Sequence, residues 1–343
     1  MVPNTELVRQ TVLLGLLSLI AACRPIRIVA PSHDLVCGTP AATHQYAVGA
    51  FLGGAARDEP SMRRAFASYQ SAVGRAPAIV KVFRALDEPF DGDIRAIVES
   101  GATPMITVEP TWRGNSRDVL RRMARGEADS MLRARASELR LIARDSVIVE
   151  FAPEMNARFG APLETAEDSN TAVEYRAAWQ RTVRVMRDAG LTNARWLWSP
   201  SAGNPYTNRA TGETHWNWMD RYYPGDDFVD YVGLHAFNDA VSRRAWVPFV
   251  ELVDGEAADR SLTTLHAMHP SKPIVLGEIA SSELPGKPGA KGAWITTAFD
   301  ALSRCAPIAA VIWFDSNKEQ DWRINSSAPS LAAFRAAVLR WAR

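Results

Sequence analysis

Two glutamates stand where apolar, β-forming runs give way to polar chain. In VIVEFAPEMNARFG (147–160), Val147, Ile148, Val149 and Phe151 lead to Glu154 and Asn156; in PIVLGEIASS (273–282), a similar run delivers Glu278. Both stretches have the composition of buried strands that end in polar chain. A single carboxylate at a strand end serves as readily as a salt-bridge partner or helix cap. Two brought face to face can split a glycosidic bond. One, protonated in an apolar and charge-crowded setting, gives its proton to the leaving oxygen, while the other, ionised, attacks the anomeric carbon. A spacing of about 5 Å implies retention of configuration and roughly 6.5–9.5 Å implies inversion.

Bringing these strand ends together requires a closed arrangement, and the rest of the sequence supplies its elements. Strands are expected at 46–52, 79–86, 104–109, 147–152, 194–199, 229–236, 273–279 and 309–314. Between them lie runs with helical spacing of apolar residues, such as ADSMLRARASELRLIAR and TAVEYRAAWQRTVRVMRDAG, the latter ending in Gly190, a natural C-cap. SLAAFRAAVLRWAR closes the chain as a helix. Eight strands alternating with helices in about 300 residues predict an α/β protein, a (β/α)8 TIM barrel, as one domain over 46–343. An open doubly wound sheet is the alternative, but GGAA at 53–56 is not a phosphate-binding loop. In the barrel, Glu154 closes the fourth strand and Glu278 the seventh, and the interval fits three strand–helix units of about 40 residues. Both then stand at the C-terminal mouth, where barrel active sites are built.

Composition narrows the partners. The 343 residues are 47% hydrophobic, enough for a large core, and 39 Lys and Arg nearly cancel 38 Asp and Glu, so no nucleic-acid footprint exists. Eleven tryptophans suit either stacking on sugar faces or core packing. The six histidines lack an H-E-x-x-H pattern, and His266 and His269, before Pro270, read as solvent-facing; no metal or other cofactor is expected. No G-x-S-x-G nucleophile motif occurs.

Residues 1–22 have the form of a secretory signal: TVLLGLLSLIAA is apolar, too short to span a bilayer, and ends in small residues. L-I-A-A-C resembles a bacterial lipoprotein box, which implies lipidation of Cys23; an ordinary signal with an incidental cysteine is the alternative. Residues 23–45 would be a tether and lead-in. An exported, envelope-anchored chain meets an oxidising compartment, where Cys37 and Cys305, both expected at the bottom rim of the barrel, can form a disulfide or remain two buried thiols.

The motifs as a set resemble glycoside hydrolase family 26, within a clan of retaining barrel glycosidases that carry acid/base and nucleophile on strands 4 and 7. The family's R-F-x-H-E-M-N-G stands here as EFAPEMNA (150–157). WLWSPS (196–201), YYPGDDFVDYVGLHAFN (222–238), LGEIAS (276–281), VIWFD (311–315) and DWRINSS (321–327) are similar to later segments, so the likeness spans about residues 46–335. It implies Glu154 as acid/base, Glu278 as nucleophile and Trp313 as the floor of the subsite beside the cleaved bond, with Trp198 in a similar role. Asn156 can bond a sugar hydroxyl, and Trp112 can line the cleft or pack in a surface loop. Three positions depart from the pattern. Pro153 replaces the His before the acid/base, Glu150 replaces an Arg, and Phe237 replaces a Tyr that bonds the nucleophile, a task open to His235 on the same strand face. A carboxylate at 150 in the lumen needs a basic partner, Lys81 or Arg84. The resemblance implies a retaining endo-β-glycanase, β-mannanase-like, acting on a polysaccharide; with the lipoprotein-type box at Cys23 it is expected to be lipid-anchored, touching the membrane only through that anchor, and a monomer. β-Mannan, mixed-linkage β-glucan, β-xylan and bacterial exopolysaccharide are all open as substrates. A catalytically decayed carbohydrate-binding barrel is the alternative.

Overall fold

The computed structural model describes residues 26–30, 35, 43–54, 57–113, 118–157, 171–202, 217–305 and 307–343. The expected signal, Cys23 and Cys37 lie outside the described residues. Eight parallel strands close into a barrel: β1 (Ala47–Phe51), β2 (Ile79–Ala85), β3 (Thr103–Glu109), β4 (Val147–Phe151), β5 (Ala194–Trp198), β6 (Tyr231–Asn238), β7 (Ile274–Ser281) and β8 (Ile308–Phe314), which pairs back onto β1. Each overlaps an expected strand, and the largest displacement is two residues, at β6 and at the end of β7. The fold is the (β/α)8 barrel.

The strands are apolar runs because both faces are covered. Outward residues such as Val149, Phe151, Trp196, Trp198 and Trp313 belong to the main core under the helices. Inward residues Ile79, Met105, Ile148, Leu197, Val275, Ala310 and Ile312 form a second, smaller apolar cluster inside the barrel. That interior is full: a Cβ at Gly49 would lie 2.5 Å from the Ile79 carbonyl oxygen and 2.7 Å from Ile312 Cδ1.

The helices follow local rules. The first, α1 (Glu59–Val73), begins at an Asp58–Ser61 capping box with Pro in its first turn and stops at Gly74, φ 81°. The last helix (Ala328–Trp341) is capped by Ser327. Ahead of the barrel, Arg27–Ile28 pairs with Ala245–Trp246, so the lead-in runs beside the segment that follows β6. Cys305 is fully buried and disulfide-bonded just before β8, at the bottom rim as expected; its expected partner, Cys37, is outside the described residues.

Candidate active site

Above the lower apolar cluster the same strands turn polar. Lys81, two residues after Ile79, is completely buried and reaches across the barrel to Glu150 Oε2 at 2.6 Å and Glu278 Oε1 at 2.6 Å. The first contact is a hydrogen bond; the second is an ion pair whose angles fall outside hydrogen-bond geometry. Thr107 Oγ1 donates to Glu150 Oε2 at 2.6 Å. His235 completes the layer, with Nε2 2.9 Å from Glu150 Oε1 and Nδ1 3.1 Å from Glu154 Oε1 and 3.7 Å from Glu278 Oε2. Glu150 thus finds the basic partner it requires, and it is Lys81; Arg84 is paired with Asp93 instead.

Two backbone irregularities aim the glutamates. Along β7 the alternation runs inward at Val275 and outward at Leu276, which would send residue 278 outward. Leu234 of β6 pairs with Leu276 but His235 pairs with Glu278, so one extra residue, Gly277, is inserted and the parity flips. Only glycine fits there, since a Cβ would lie 2.6 Å from Glu150 Oε1 and 2.7 Å from His235 Nε2. At the end of β4, Ala152 (φ 46°) and Glu154 (φ 58°) are both left-handed, flanking Pro153. Left-handed backbone in residues bearing a Cβ is costly and concentrates at functional sites. Hydrogen bonds hold the turn: Ala152 N–H donates to the Val108 carbonyl at 2.9 Å and Glu154 N–H to the Ser199 carbonyl at 2.8 Å. Pro153 is therefore a rigid element of the turn that carries Glu154.

Burial and charge compete across this layer. For His235, burial lowers the pKa, but Glu278 and Glu150 outweigh it and push the imidazole up to about 10. Glu150 loses more to burial than to any single partner, yet Lys81 and His235 together hold it far below the usual carboxylate range. Lys81 is also opposed by burial and is held above its ordinary value by Glu150 and Glu278. Glu278 goes the other way: burial raises its pKa, Lys81 and His235 pull it down, and Glu154 and Glu150 push it up again. Ligand atoms of Glu150, His235 and Glu278 come within 4.8 Å of one another, close enough to hold a metal ion. The Lys81 ammonium already supplies a cation to both of those carboxylates.

The layer opens into a cleft of about 1190 Å³, lined among others by Glu154, Glu278, His235, Pro153 and an aromatic wall of Phe51, Phe83, Phe237, Phe314 and Trp322. Phe237 stands edge-on to Phe314 and Trp322. The structure thus brings together Glu154, Glu278, His235 and Phe237 of the expected site. It places the others elsewhere. Trp313 is fully buried on the outward face of β8, donating to the Trp322 carbonyl and packed on Trp294 and Phe334, so it cannot floor a subsite. Trp198 is likewise buried outside the barrel, edge-on to Tyr223 and His269. His269 itself is buried against Tyr223 rather than solvent-facing. Asn156 is fully buried and clips the ends of two strands: its amide donates to the Ser201 carbonyl at 3.0 Å and its oxygen accepts from Ser201 N–H at 2.8 Å. Trp112 lies under the Arg122 guanidinium, 4.0 Å from the ring centroid, and does not line the cleft. Among the described tryptophans only Trp322 lines it. Thr107, Phe51, Phe83 and Phe314 also line the cleft, and their inward parity on strands β3, β1, β2 and β8 is the sequence signal that marks them.

The profile of the family described as Glycosyl hydrolase family 26 matches residues 147–280, from the start of β4 to the penultimate residue of β7, and both glutamates lie inside the match. Over that segment the chain is similar to glycosyl hydrolase family 26. The chain is also 29% identical over 296 residues to Endoglucanase H of Acetivibrio thermocellus, covering 85% of the chain and 30% of that protein, so it spans under a third of this relative's length. Its barrel superposes on the catalytic domain of a GH26 endo-beta-1,4-mannanase from Bacillus sp. JAMB-750 with TM-score 0.59 and 19% identity, covering 88% and 87% of the two chains. It also superposes on GH26C of Muricauda sp. with TM-score 0.60 and 16% identity, covering 87% and 86%. At such identities the superpositions speak to the fold.

Proposed function

We propose that the protein is an exported, lipid-anchored retaining endo-β-glycanase that cuts within a polysaccharide, β-mannan or a related β-glycan, with Glu278 as nucleophile and Glu154 as acid/base. One observation carries the reading: Glu154 from the end of β4 and Glu278 from β7 approach the same nitrogen, His235 Nδ1, at 3.1 and 3.7 Å. Their nearer oxygens are then no farther apart than those two distances laid end to end, which admits the spacing of about 5 Å typical of double displacement.

In the first step Glu278 attacks the anomeric carbon while Glu154 protonates the departing glycosidic oxygen, and a glycosyl-enzyme ester forms. In the second, Glu154 takes a proton from water, which attacks the same carbon and frees Glu278. Exposure suits this division. The Glu278 side chain is 7% exposed beneath the sugar position, whereas Glu154, 24% exposed at the mouth, can meet leaving group and water. The aromatic wall supplies flat apolar faces for sugar rings. The export and anchoring part of the proposal rests on the apolar 11–22 run and Cys23; no helix among the described residues is long and apolar enough to cross a membrane.

The test is digestion of a panel of β-glycans (mannan, mixed-linkage glucan, xylan), with reducing-sugar release, product analysis and Glu278→Ala as control. Internal cleavage with retained configuration, lost in the variant, is expected. Binding of a glycan without product from the native chain would instead favour a non-catalytic carbohydrate-binding barrel, the reading that Pro153 and Phe237 leave open. Palmitate labelling of the expressed precursor, abolished by Cys23→Ala, tests the anchor.

A further inference from the structure

Glu150 has no place in the two-carboxylate scheme, yet three side chains hold it. Its Oε2 receives Lys81 Nζ and Thr107 Oγ1, each at 2.6 Å, and its Oε1 faces His235 Nε2 at 2.9 Å. It is fully buried, and the sugar cleft stops short of it. Among the described residues, the other ring nitrogen of His235 also faces acids, Glu154 at 3.1 Å and Glu278 at 3.7 Å. Only the imidazolium donates to Glu150 and to the ionised Glu278 at once; a neutral ring with Nε2–H on Glu150 would turn its Nδ1 lone pair toward the Glu278 carboxylate, and the only donor to meet it there would be the proton that Glu154 must keep for the leaving oxygen.

We propose that Glu150 is a fixed buried counter-ion that keeps His235 an imidazolium, and that His235 acts as a positioning residue whose Nδ1–H follows the negative charge between Glu278 and Glu154 during the double displacement. This rests on the catalytic assignment proposed above. Before attack the charge is on Glu278. When the bond from Glu278 to the anomeric carbon forms and the glycosidic C–O bond breaks, Glu278 becomes an ester, and Glu154, having given up its proton, becomes the carboxylate. Hydrolysis reverses both changes. The charge therefore moves between two sites that share one nitrogen, and the ring need not leave Glu150 to serve each in turn. The charged groups around the ring are Lys81 from β2, Glu150 from β4, Glu154 beyond β4 and Glu278 from β7; Thr107 and Phe237 beside them are uncharged. The upward displacement of the His235 pKa by Glu278 and Glu150, against burial and Lys81, agrees with the geometry.

The experiment is nitrogen-15 NMR of the histidine rings in the full chain, titrated from pH 6 to 10, with His235→Asn to assign the signal. His235 is expected to keep both ring nitrogens protonated to about pH 9, and Glu150→Gln to lower its titration by about two pH units or more, while Glu150→Asp retains most of the elevation. A neutral His235 at pH 7 in the native chain overturns the proposal even if Glu150→Gln does not fold, and so does an unchanged titration in a folded Glu150→Gln. On a β-glycan that the native chain cuts, Glu150→Gln should move the alkaline limb of kcat to lower pH with KM changed less than about threefold, whereas a purely structural role lowers kcat by one factor at every pH. If the native chain cuts nothing, the catalytic assignment and the alternating role fall together, and the NMR titration separately decides the counter-ion.

Discussion

The barrel interior has two layers built from the same strands, and they differ in every physical respect but backbone. In the lower layer stand Ile79, Met105, Ile148, Leu197 and Val275, an apolar plug. Two residues further along β2, β3, β4 and β5 stand Lys81, Thr107, Glu150 and Ser199, with Glu278 brought in by the bulge on β7. The plug holds by volume and dispersion and needs no particular partner at any position. The upper layer sits on that dry base, where an unpaired charge is costly, so each carboxylate there has a cation or donor within reach. The lower layer closes the fold, and the upper layer is polar only because it has been closed beneath.

The sharpest way to break this comparison is in the upper layer. Glu278→Ala should lower polysaccharide turnover by roughly 10⁴-fold or more, as when one member of a covalent catalytic unit is removed. A variant retaining a hundredth of the native rate would remove Glu278 from the nucleophile's role. Next in size, Glu150→Met leaves Lys81 and His235 without their shared counter-ion and should destabilise the fold by about 3–5 kcal/mol in urea unfolding. The double variant Lys81→Met with Glu150→Met should recover part of that loss.

The lower layer should respond differently. Ile148→Ala is expected to cost about 2–4 kcal/mol of stability through its cavity while the pH dependence of turnover keeps its shape. A shifted pH profile would mean the layers are coupled. Alkali should distinguish them too. His235 has a folded pKa near 10 against 6.5 unperturbed, so its stabilising contribution is complete below about 6.5 and lost as pH rises toward 10. The urea midpoint should fall over that window in the native chain and fall less in His235→Asn. Glu278, its pKa raised chiefly by burial, should set an acid limb, with turnover declining as pH drops through its titration. The smallest effect is expected outside the lumen: Trp313→Phe should leave KM within about twofold, while Trp322→Ala, in the cleft wall, should raise KM several-fold by removing a stacking face worth ~1 kcal/mol.

What could be read in advance followed from period and composition. The eight strands were legible because each is a short β-rich run between turn residues and helical patterns. Glu154 and Glu278 were legible because each interrupts the polar end of such a run. The need of Glu150 for a cation was legible from its lumenal register, and Lys81 meets it. Trp313 and Trp198 were misplaced although simple alternation held the answer: Ala310, Ile312 and Phe314 face inward on β8, so the residue between the last two faces the helices. Asn156 was misplaced for another reason. Its amide is matched by a backbone 45 residues away, a partner that no local pattern can name.

By itself, then, the sequence determined the closed (β/α)8 arrangement and the presence of two acids at its mouth, because strand and helix periods and strand-end polarity are properties of consecutive residues. Which way those acids point was decided only in three dimensions. An inserted Gly277 reverses the parity of β7, and two left-handed residues around Pro153 swing Glu154 over the lumen. His235, which faces both, also faces Glu150, which lies 85 positions away in the chain and 2.9 Å away in space. Side-chain charge depends on what is nearby once water is excluded, and that neighbourhood does not exist until the barrel closes.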